Sequence, residues 1–566
     1  MNAASRSPLR ILIIASTWLA VVGNVPLWIA LWRLPEGQGW RGVVMAMTLA
    51  GMTFSLCVAL LSLLAWRGLL RTAIVLLLLV TGFSIHYMLS YGIVIDSTMV
   101  TNVLQTDAGE ARDQLSLSLL LTVLMFCLPM VWWMWRRGLN WPRLAVQFVH
   151  NLGMVLTGVV FTLLLTYLSF KDFSTLMRNH TQLRYLINPL NTVYALVEIA
   201  LIPTQVDQTL QALGEDAVIN PLPFPGNAKA STSALQPWGA QPPLLVIALG
   251  ETARSANFSL NGYARPTNPQ LQREPVLSYQ QVRSCGTSTA ASLPCMFSHL
   301  GREAHEARTA EYENLLDVLR RAGYLVMWLD NQSGCKGLCD RITSVRTNEM
   351  KRPAFCSQGE CMDDILLPVL QEHWRDVRQS LASTHRGVAP HKGTVVVLHL
   401  MGSHGPAYYK RSRAPHKPFQ PECKSAVLSE CSNQEIVNAY DNSLVFTDHV
   451  LTELIRWLRE QSTHTPTGLI YLSDHGESLG ENSLYLHGLP YSMAPDVQKH
   501  VPLITWWSDR FQQVRGIRHD CLRQDLDKPL SHDHFFHSVL GLMRVQTHVY
   551  RPEWDLFRRC DPHARL

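Results

Sequence analysis

Several absences narrow the reading before any motif does. The chain carries a net charge of only +5 over 566 residues and has no long block of Lys and Arg. It lacks the electrostatic footprint and the aromatic-basic signature of an RNA-binding module, so nucleic acid is not expected as a partner. No G-x-x-x-x-G-K-[ST] stretch occurs, and Gly286 does not complete one, which excludes a P-loop nucleotide site. No internal repeat or long low-complexity tract is present. Charge is absent altogether from five apolar runs, at 11–32, 43–66, 73–95, 115–135 and 146–169. Each is long enough to cross a bilayer as a helix. Cysteine is missing between Cys127 and Cys285.

The basic residues orient the five runs. Arg6 and Arg10 precede the first, Arg67 and Arg71 separate the second and third, and Arg136, Arg137 and Arg143 separate the fourth and fifth. Those ends hold no acid and are cytoplasmic by the positive-inside rule. The alternate loops mix charges, holding Arg33, Glu36 and Arg41, then Asp96, Asp107, Glu110, Arg112 and Asp113. With five spans, everything after about 170 lies outside. The first run is followed by further spans, so it reads as an uncleaved anchor. His86, inside the third run, is expected to make an interhelical hydrogen bond.

The cysteines agree with that topology. Cys57 and Cys127 fall in apolar runs. The other ten follow residue 284, with Cys285/Cys295, Cys335/Cys339, Cys356/Cys361 and Cys423/Cys431 close in sequence and Cys521 and Cys560 left over. An even, clustered set implies disulfides and an oxidising compartment. A zinc-thiolate site at Cys335 and Cys339 is the competing reading, but the pairs lie on separate segments.

Three regions follow: a five-span membrane domain at 1–172, a membrane-surface helix and linker at 173–243, and a catalytic domain at 244–566. Residues 177–200 place Leu183, Leu186, Ile187, Leu190, Val193 and Val197 at helical spacing, with a kink expected at Pro189. The stretch 219–243, with Pro221, Pro223, Pro225, Pro242 and Pro243, reads as an exposed linker. Beyond it, short apolar runs at 244–249, 325–329, 395–398 and 469–472 alternate with helical patterns at 311–322 and 434–460. That alternation predicts a mostly parallel α/β sheet covered on both faces.

In such sheets ligands bind beyond the carboxyl ends of the strands. Those ends are followed here by Glu251, by Asp330 to Ser333 and Lys336, by His399 and His404, and by Asp474 and His475, with His487 further on. Glu, Asp and His suit zinc with one position left for a reacting oxygen. The run Ser284-Cys285-Gly286-Thr287-Ser288-Thr289 places hydroxyls at the start of a helix. A plain N-cap in a disulfide-pinned loop is one reading. A nucleophile is the other, with Thr289 acidified by the metal and attacking as an alkoxide.

Four motifs, Gly250-Glu251-Thr252-Ala253-Arg254, Cys285 to Ala290, Asn438-Ala439-Tyr440-Asp441-Asn442 and Ser473-Asp474-His475-Gly476-Glu477, together resemble the lipid A phosphoethanolamine transferases, which include the mobile colistin-resistance enzymes. The resemblance covers nearly the whole chain. It implies a multi-span α-helical membrane domain and an α/β catalytic domain of alkaline phosphatase/sulfatase type facing the periplasm, anchored in a bacterial inner membrane as a monomer. It implies Thr289 as nucleophile and Glu251, Thr289, Asp474 and His475 as ligands of one zinc, with a second zinc allowed at His404 and His487. Ser333, Lys336, His404 and His487 would meet substrate, and Asn102, Thr106 and Glu110 the lipid head. Phosphatidylethanolamine would be the donor and lipid A the acceptor. Gln332 stands where colistin-resistance members have asparagine, and the Cys335/Cys339 pair is one those members lack. Two rival readings remain: transfer to a core heptose or glucan, and hydrolysis of sulfatase or phosphodiesterase type. The nucleophile region lacks the C/S-x-P-x-R context that a sulfatase needs.

Overall fold

The computed structural model describes residues 7–106, 111–112, 114–205, 207–220, 242–350, 352–357, 360–382 and 392–561, with 202–205, 207–208 and 381–382 described by their backbone alone. Glu110 and the linker stretch 221–241 lie outside these residues. The chain divides into two compact units, Met1–Thr101 with Leu115–Ile202, and Asn102–Gln114 with Pro203–Leu566.

In the first unit, five helices are long and apolar enough to cross a membrane: Pro8–Trp32, Gly39–Leu63, Leu70–Tyr91, Leu117–Trp135 and Leu144–Asn179. Uniform apolarity suits helices, because a helix satisfies its own backbone groups where water is absent. The first is two helical segments, Pro8–Val21 and Val25–Trp32, joined through a short turn at Asn24. The Asn24 side chain donates to the carbonyls of Leu19, Ala20 and Asn188, and accepts from the Asn188 backbone N–H. His86 Nδ1 lies 3.4 Å from Thr122 Oγ1 on a neighbouring helix, the interhelical contact expected of it.

The expected kinked helix over 177–200 is instead three pieces. The long helix runs to Asn179, a single turn spans Gln182–Tyr185, and a new helix starts at Leu190. Pro189 cannot donate to a preceding carbonyl. Asn188, fully buried, gives its backbone to Asn24 and its side-chain amide to the Gly23 carbonyl, so the helix cannot continue through it.

The second unit is built on an eight-stranded sheet. Its strands are β1 Leu244–Gly250, β2 Leu277–Arg283, β3 Leu325–Asp330, β4 Thr343–Arg346, β5 Thr394–His399, β6 Thr467–Ser473, β7 His500–Trp507 and β8 Pro529–Ser531. Their order is β8-β2-β7-β6-β1-β5-β3-β4. Only β7 opposes its neighbours; the other pairings are parallel. The sheet is therefore mostly parallel, as expected. The four strands legible from apolar runs are β6, β1, β5 and β3, side by side at the centre. β1, β5 and β6 are buried along their whole length, as two covered faces require.

Register sets the site. Leu249 is opposite His399, His399 is opposite Asp330, and Gly250 is opposite Ser473. The residues that follow all emerge at one edge. The helix Asn433–Gln461 begins with a capping box between Ser432 and Glu435 and buries one face against this sheet. Five disulfides staple the unit: Cys285–Cys295, Cys335–Cys339, Cys356–Cys361 and Cys423–Cys431 pair as expected, and Cys521, left over in the sequence, pairs with Cys560. Cys57 and Cys127 are free and buried.

Candidate active site

Thr289 opens the helix Thr289–Met296, and Ser288 before it is extended. The Cys285–Cys295 bridge closes around this turn. The Thr289 hydroxyl, 4% exposed, lies 2.9 and 3.1 Å from the two oxygens of Glu251 and 3.4 Å from His475 Nε2. His475 Nε2 is 3.3 Å from Glu251 Oε1 and 3.3 Å from Asp474 Oδ2. Glu251 leaves β1; Asp474 and His475 leave β6. One donor atom from each of these three residues lies within 4.8 Å of the others. The structure thus brings Glu251, Thr289, Asp474 and His475 together from three separate segments.

Glu251, Asp474 and His475 are fully buried. Burial, and then the neighbouring Glu251 charge, push the Asp474 carboxyl up to about 7. Against burial, which lowers it, the Asp474 and Glu251 carboxylates raise His475 to about 10. Two buried carboxylates at this distance require a positive charge between them. The donor set fits a divalent metal. His475 Nδ1 donates to the Gly476 carbonyl at 2.9 Å, which turns Nε2 toward the carboxylates. Asp474 Oδ1 accepts from the His475 and Thr252 N–H groups, while buried Oδ2 accepts no hydrogen bond. A second group, Glu251, His404 and His487, also offers donors within 4.8 Å. The His487 ring packs 4.3 Å from His475 and 5.8 Å from His404.

The turn after β3 forms another wall. Asp330 Oδ1 accepts from the N–H groups of Gln332 and Gly334, closing the turn. Gln332 Nε2 donates to Glu251 Oε2 at 3.1 Å. Ser333 Oγ donates to Gln332 Oε1 at 2.6 Å, and Lys336 Nζ donates to Ser333 Oγ at 3.0 Å. Lys336 also donates to the Gln105 carbonyl at 3.2 Å, within the same unit. Asn102 accepts from Thr106 through its carbonyl. Gln332, longer than asparagine by one methylene, reaches Glu251 directly.

Other positions escaped sequence reasoning. His532 Nδ1 accepts from the Cys285 N–H at 3.1 Å, so its Nε2–H donates to the Ser473 carbonyl at 3.0 Å. Burial drives His532 down to about 3, which keeps it neutral for both bonds. It ties the loop of Thr289 to the strand end of Asp474. Ser292 Oγ donates to the Asp474 carbonyl across the same junction. Tyr440 OH donates to the Thr252 carbonyl and accepts from the Arg254 N–H, bracing the turn after Glu251. Buried Asp363 accepts from Asn331 Nδ2 and from the Met401 and Gly402 N–H groups, shaping the loop that carries His404. Only Tyr440 carried a signal, through its motif. His532 and Asp363 sit in stretches that nothing marks.

Two family models match the chain: one described as sulfatase over residues 243–545, one as phosphoethanolamine transferase EptA/EptB over 52–201. The chain is 34% identical to phosphoethanolamine transferase EptA of Salmonella typhimurium, over 97% of this chain and 96% of that protein. It is 32% identical to phosphatidylethanolamine transferase Mcr-1 of Escherichia coli, over 88% of each. Among solved structures it is similar to the integral membrane protein lipooligosaccharide phosphoethanolamine transferase A (EptA) of Neisseria meningitidis. That match has a TM-score of 0.87 and 31% identity and covers 98% of both chains.

Proposed function

The chain belongs to the phosphoethanolamine transferase family, and on that premise we propose that it moves phosphoethanolamine from phosphatidylethanolamine to a phosphate of lipid A. The observation that carries the reading is the Thr289 hydroxyl held within 3.1 Å of both Glu251 oxygens, inside a buried carboxylate–imidazole cluster. The names of the relatives supply the transferred group. The nucleophile role of Thr289 and the lipid acceptor are inferences from that geometry and those names.

In the first displacement, Thr289 Oγ1 attacks the donor phosphorus. The Oγ1–P bond forms, the bond to the diacylglycerol oxygen breaks, and the proton lost by the Thr289 hydroxyl ends on the departing oxygen. In the second, a lipid A phosphate oxygen attacks the same phosphorus, the Oγ1–P bond breaks, and the proton of the attacking phosphate hydroxyl ends on Thr289 Oγ1. A hydroxyl nucleophile lets two bulky lipids use the site in turn. Glu251, Thr289, Asp474 and His475 would hold a zinc ion, with His404 and His487 available to a second. Zinc supplies Lewis-acid stabilisation of the negative charge that develops on phosphoryl oxygens. Gln332 fixes the Glu251 carboxylate, and His532 holds the Thr289 turn against Asp474. Ser333 and Lys336 would contact substrate, and Asn102, Thr106 and Glu110 are assigned, by the resemblance, to recognition of the lipid head group.

We place the second unit in the periplasm of a Gram-negative bacterium and the five helices in its inner membrane, acting as a monomer with boundaries near 172 and 243. Disulfides, the basic cytoplasmic loops and the relatives support that placement. Adding an amine offsets phosphate charge on the outer surface, so cells should resist cationic peptides such as polymyxin. The test is mass spectrometry of lipid A from cells with and without this gene. A phosphoethanolamine increment on lipid A supports the reading. An increment confined to a core sugar or a glucan transfers the activity to that acceptor instead.

A further inference from the structure

The first unit holds a cavity of about 330 Å³ at the end where the basic loops lie. It is walled by Ser7 and Pro8 at the start of the first long helix, by Pro142 and Gln147 around the start of the fifth, and by Ala65 just beyond the end of the second. Trp141 is part of the lining, and Arg136 lies 4.2 Å from the Trp132 ring at the end of the fourth helix. Tryptophan beside arginine marks the head-group layer of a membrane.

Inside the cavity one buried group has no partner. Gln147 and Asn151, one turn apart, are 6% and 7% exposed. Gln147 Nε2 donates to the Ala65 carbonyl at 3.2 Å and to Asn151 Oδ1 at 2.6 Å, and Asn151 Nδ2 donates to the same carbonyl at 3.0 Å. A carbonyl can only accept, so both amides must turn nitrogen toward it. Both Gln147 N–H groups are then spent, and its Oε1 accepts no hydrogen bond among the described residues. A buried amide oxygen in that state is costly, so an occupant has to bring an O–H or N–H donor.

The two helix starts set the sign of the occupant's charge. Neither has an acid in its first turn, and neither Ser7 nor Arg143 caps its helix with a side-chain hydrogen bond. Two positive dipole ends meet here uncompensated. Arg10 and Arg143 stand on the same turns, exposed and without an ion-pair partner among the described residues. Leu12 and Met154 continue the lining along the two helices with apolar groups. A free anion has no use for that wall, whereas a phospholipid has a phosphate for the helix starts and acyl chains for the apolar part.

We propose that this cavity seats the head group of an anionic phospholipid bearing hydroxyls, of the phosphatidylglycerol class. The phosphate faces the two helix starts, a glycerol hydroxyl donates to Gln147 Oε1, and the lipid clamps the first, second and fifth helices at their shared end. The basic loops put the site in the cytoplasmic leaflet. It does not depend on the transfer reading.

The test titrates the full-length protein, stripped of lipid in detergent, with phosphatidylglycerol and reads binding by native mass spectrometry. Phosphatidylmethanol keeps the charge but lacks the hydroxyls; phosphatidylcholine has neither net charge nor a donor. The wild type should bind one phosphatidylglycerol about fivefold more tightly than phosphatidylmethanol, and phosphatidylcholine least of all. Arg10→Gln and Arg143→Gln should each weaken both anionic lipids by about three- to tenfold. Arg136→Gln removes the same charge from neither helix start and should change binding by less than about twofold. Gln147→Leu should bind phosphatidylglycerol and phosphatidylmethanol equally; if its lost bond to Ala65 prevents folding, the wild-type preference between those two lipids decides the hydroxyl claim. Saturating phosphatidylglycerol should raise the Tm of the wild type and of Arg136→Gln, and leave an Arg10→Gln/Arg143→Gln double variant nearly unmoved. Equal losses in all three arginine variants would show attraction to the basic face at large and overturn the site. Equal binding of the three lipids by the wild type also overturns it. A loss confined to Gln147→Leu would point to zwitterionic phosphatidylethanolamine meeting Gln147 through its ammonium and overturn the anionic assignment.

Discussion

Replacing Gly402 by alanine should damage the chemistry far more than the fold. Gly402 has φ +55°, in the left-handed region, where a Cβ costs about 1–2 kcal/mol. The added methyl would sit 2.6 Å from the Glu251 carbonyl oxygen and 2.8 Å from the Glu251 nitrogen, both backbone atoms. Relief to an ordinary contact of 3.4 Å needs a displacement of about 0.8 Å at Glu251. Misplacement on that scale costs roughly a hundredfold in rate at a site that works by positioning. Strain and crowding together should lower stability by about 2–4 kcal/mol, well short of preventing folding. Gly262→Ala is the control. Its φ is +95°, but open space surrounds it, so it should lose only backbone strain of about 1–2 kcal/mol. Turnover of a short-chain phosphatidylethanolamine in detergent, with metal content and denaturant unfolding on the same samples, reads both variants. Full turnover in Gly402→Ala, or an equal loss in Gly262→Ala, would refute the claim that Gly402 positions Glu251.

Chelation should strip the metal and abolish turnover while circular dichroism barely changes, because five disulfides hold the unit; unfolding on chelation would show a structural metal instead. The Cys521–Cys560 bridge spans 39 residues and should contribute about 4 kcal/mol by loop closure, against about 2 kcal/mol for Cys335–Cys339, which spans 4. Paired alanine replacements compared by denaturant unfolding check the ratio, and the second pair should also raise KM by loosening the turn of Ser333 and Lys336. Asp448 is buried against the Gln270 and Leu271 N–H groups, and burial raises its carboxyl to about 7. The folded state therefore holds a proton that the unfolded chain releases near 4, so this stability is present at low pH and lost as pH rises through 7. Stability measured from pH 4 to 7 should fall less in Asp448→Asn than in the wild type; parallel slopes would remove Asp448 as the cause.

The centre of the fold was readable because its strands are apolar on both faces. β1, β3, β5 and β6 stand out as uninterrupted runs, and register then carries Glu251, Asp330, His399 and Asp474 to one edge. β2, Leu-Ser-Tyr-Gln-Gln-Val-Arg, mixes polar with apolar residues and partly faces out, so no run announces it. β7 runs against its neighbours, a pairing that alternation of strand and helix does not suggest. The break at Asn188 depended on a partner at Asn24, far away in sequence. The same limit applies within the site. Glu251, Thr289, Asp474 and His475 belong to short motifs, whereas His532, Ser292 and Asp363 act through backbone groups that only folding brings near. Side-chain identity carries no trace of such partners.

The central claim is that Thr289 carries the phosphoethanolamine group between two displacements. Intact-mass analysis of the full-length protein, incubated with phosphatidylethanolamine and no acceptor, tests it most directly. The account predicts one phosphoethanolamine increment, mapped by peptide fragmentation to Thr289, absent from Thr289→Ala and released when lipid A is added. An increment on Ser288 or Thr287, or transfer that proceeds only with both lipids present and leaves no adduct, would contradict it.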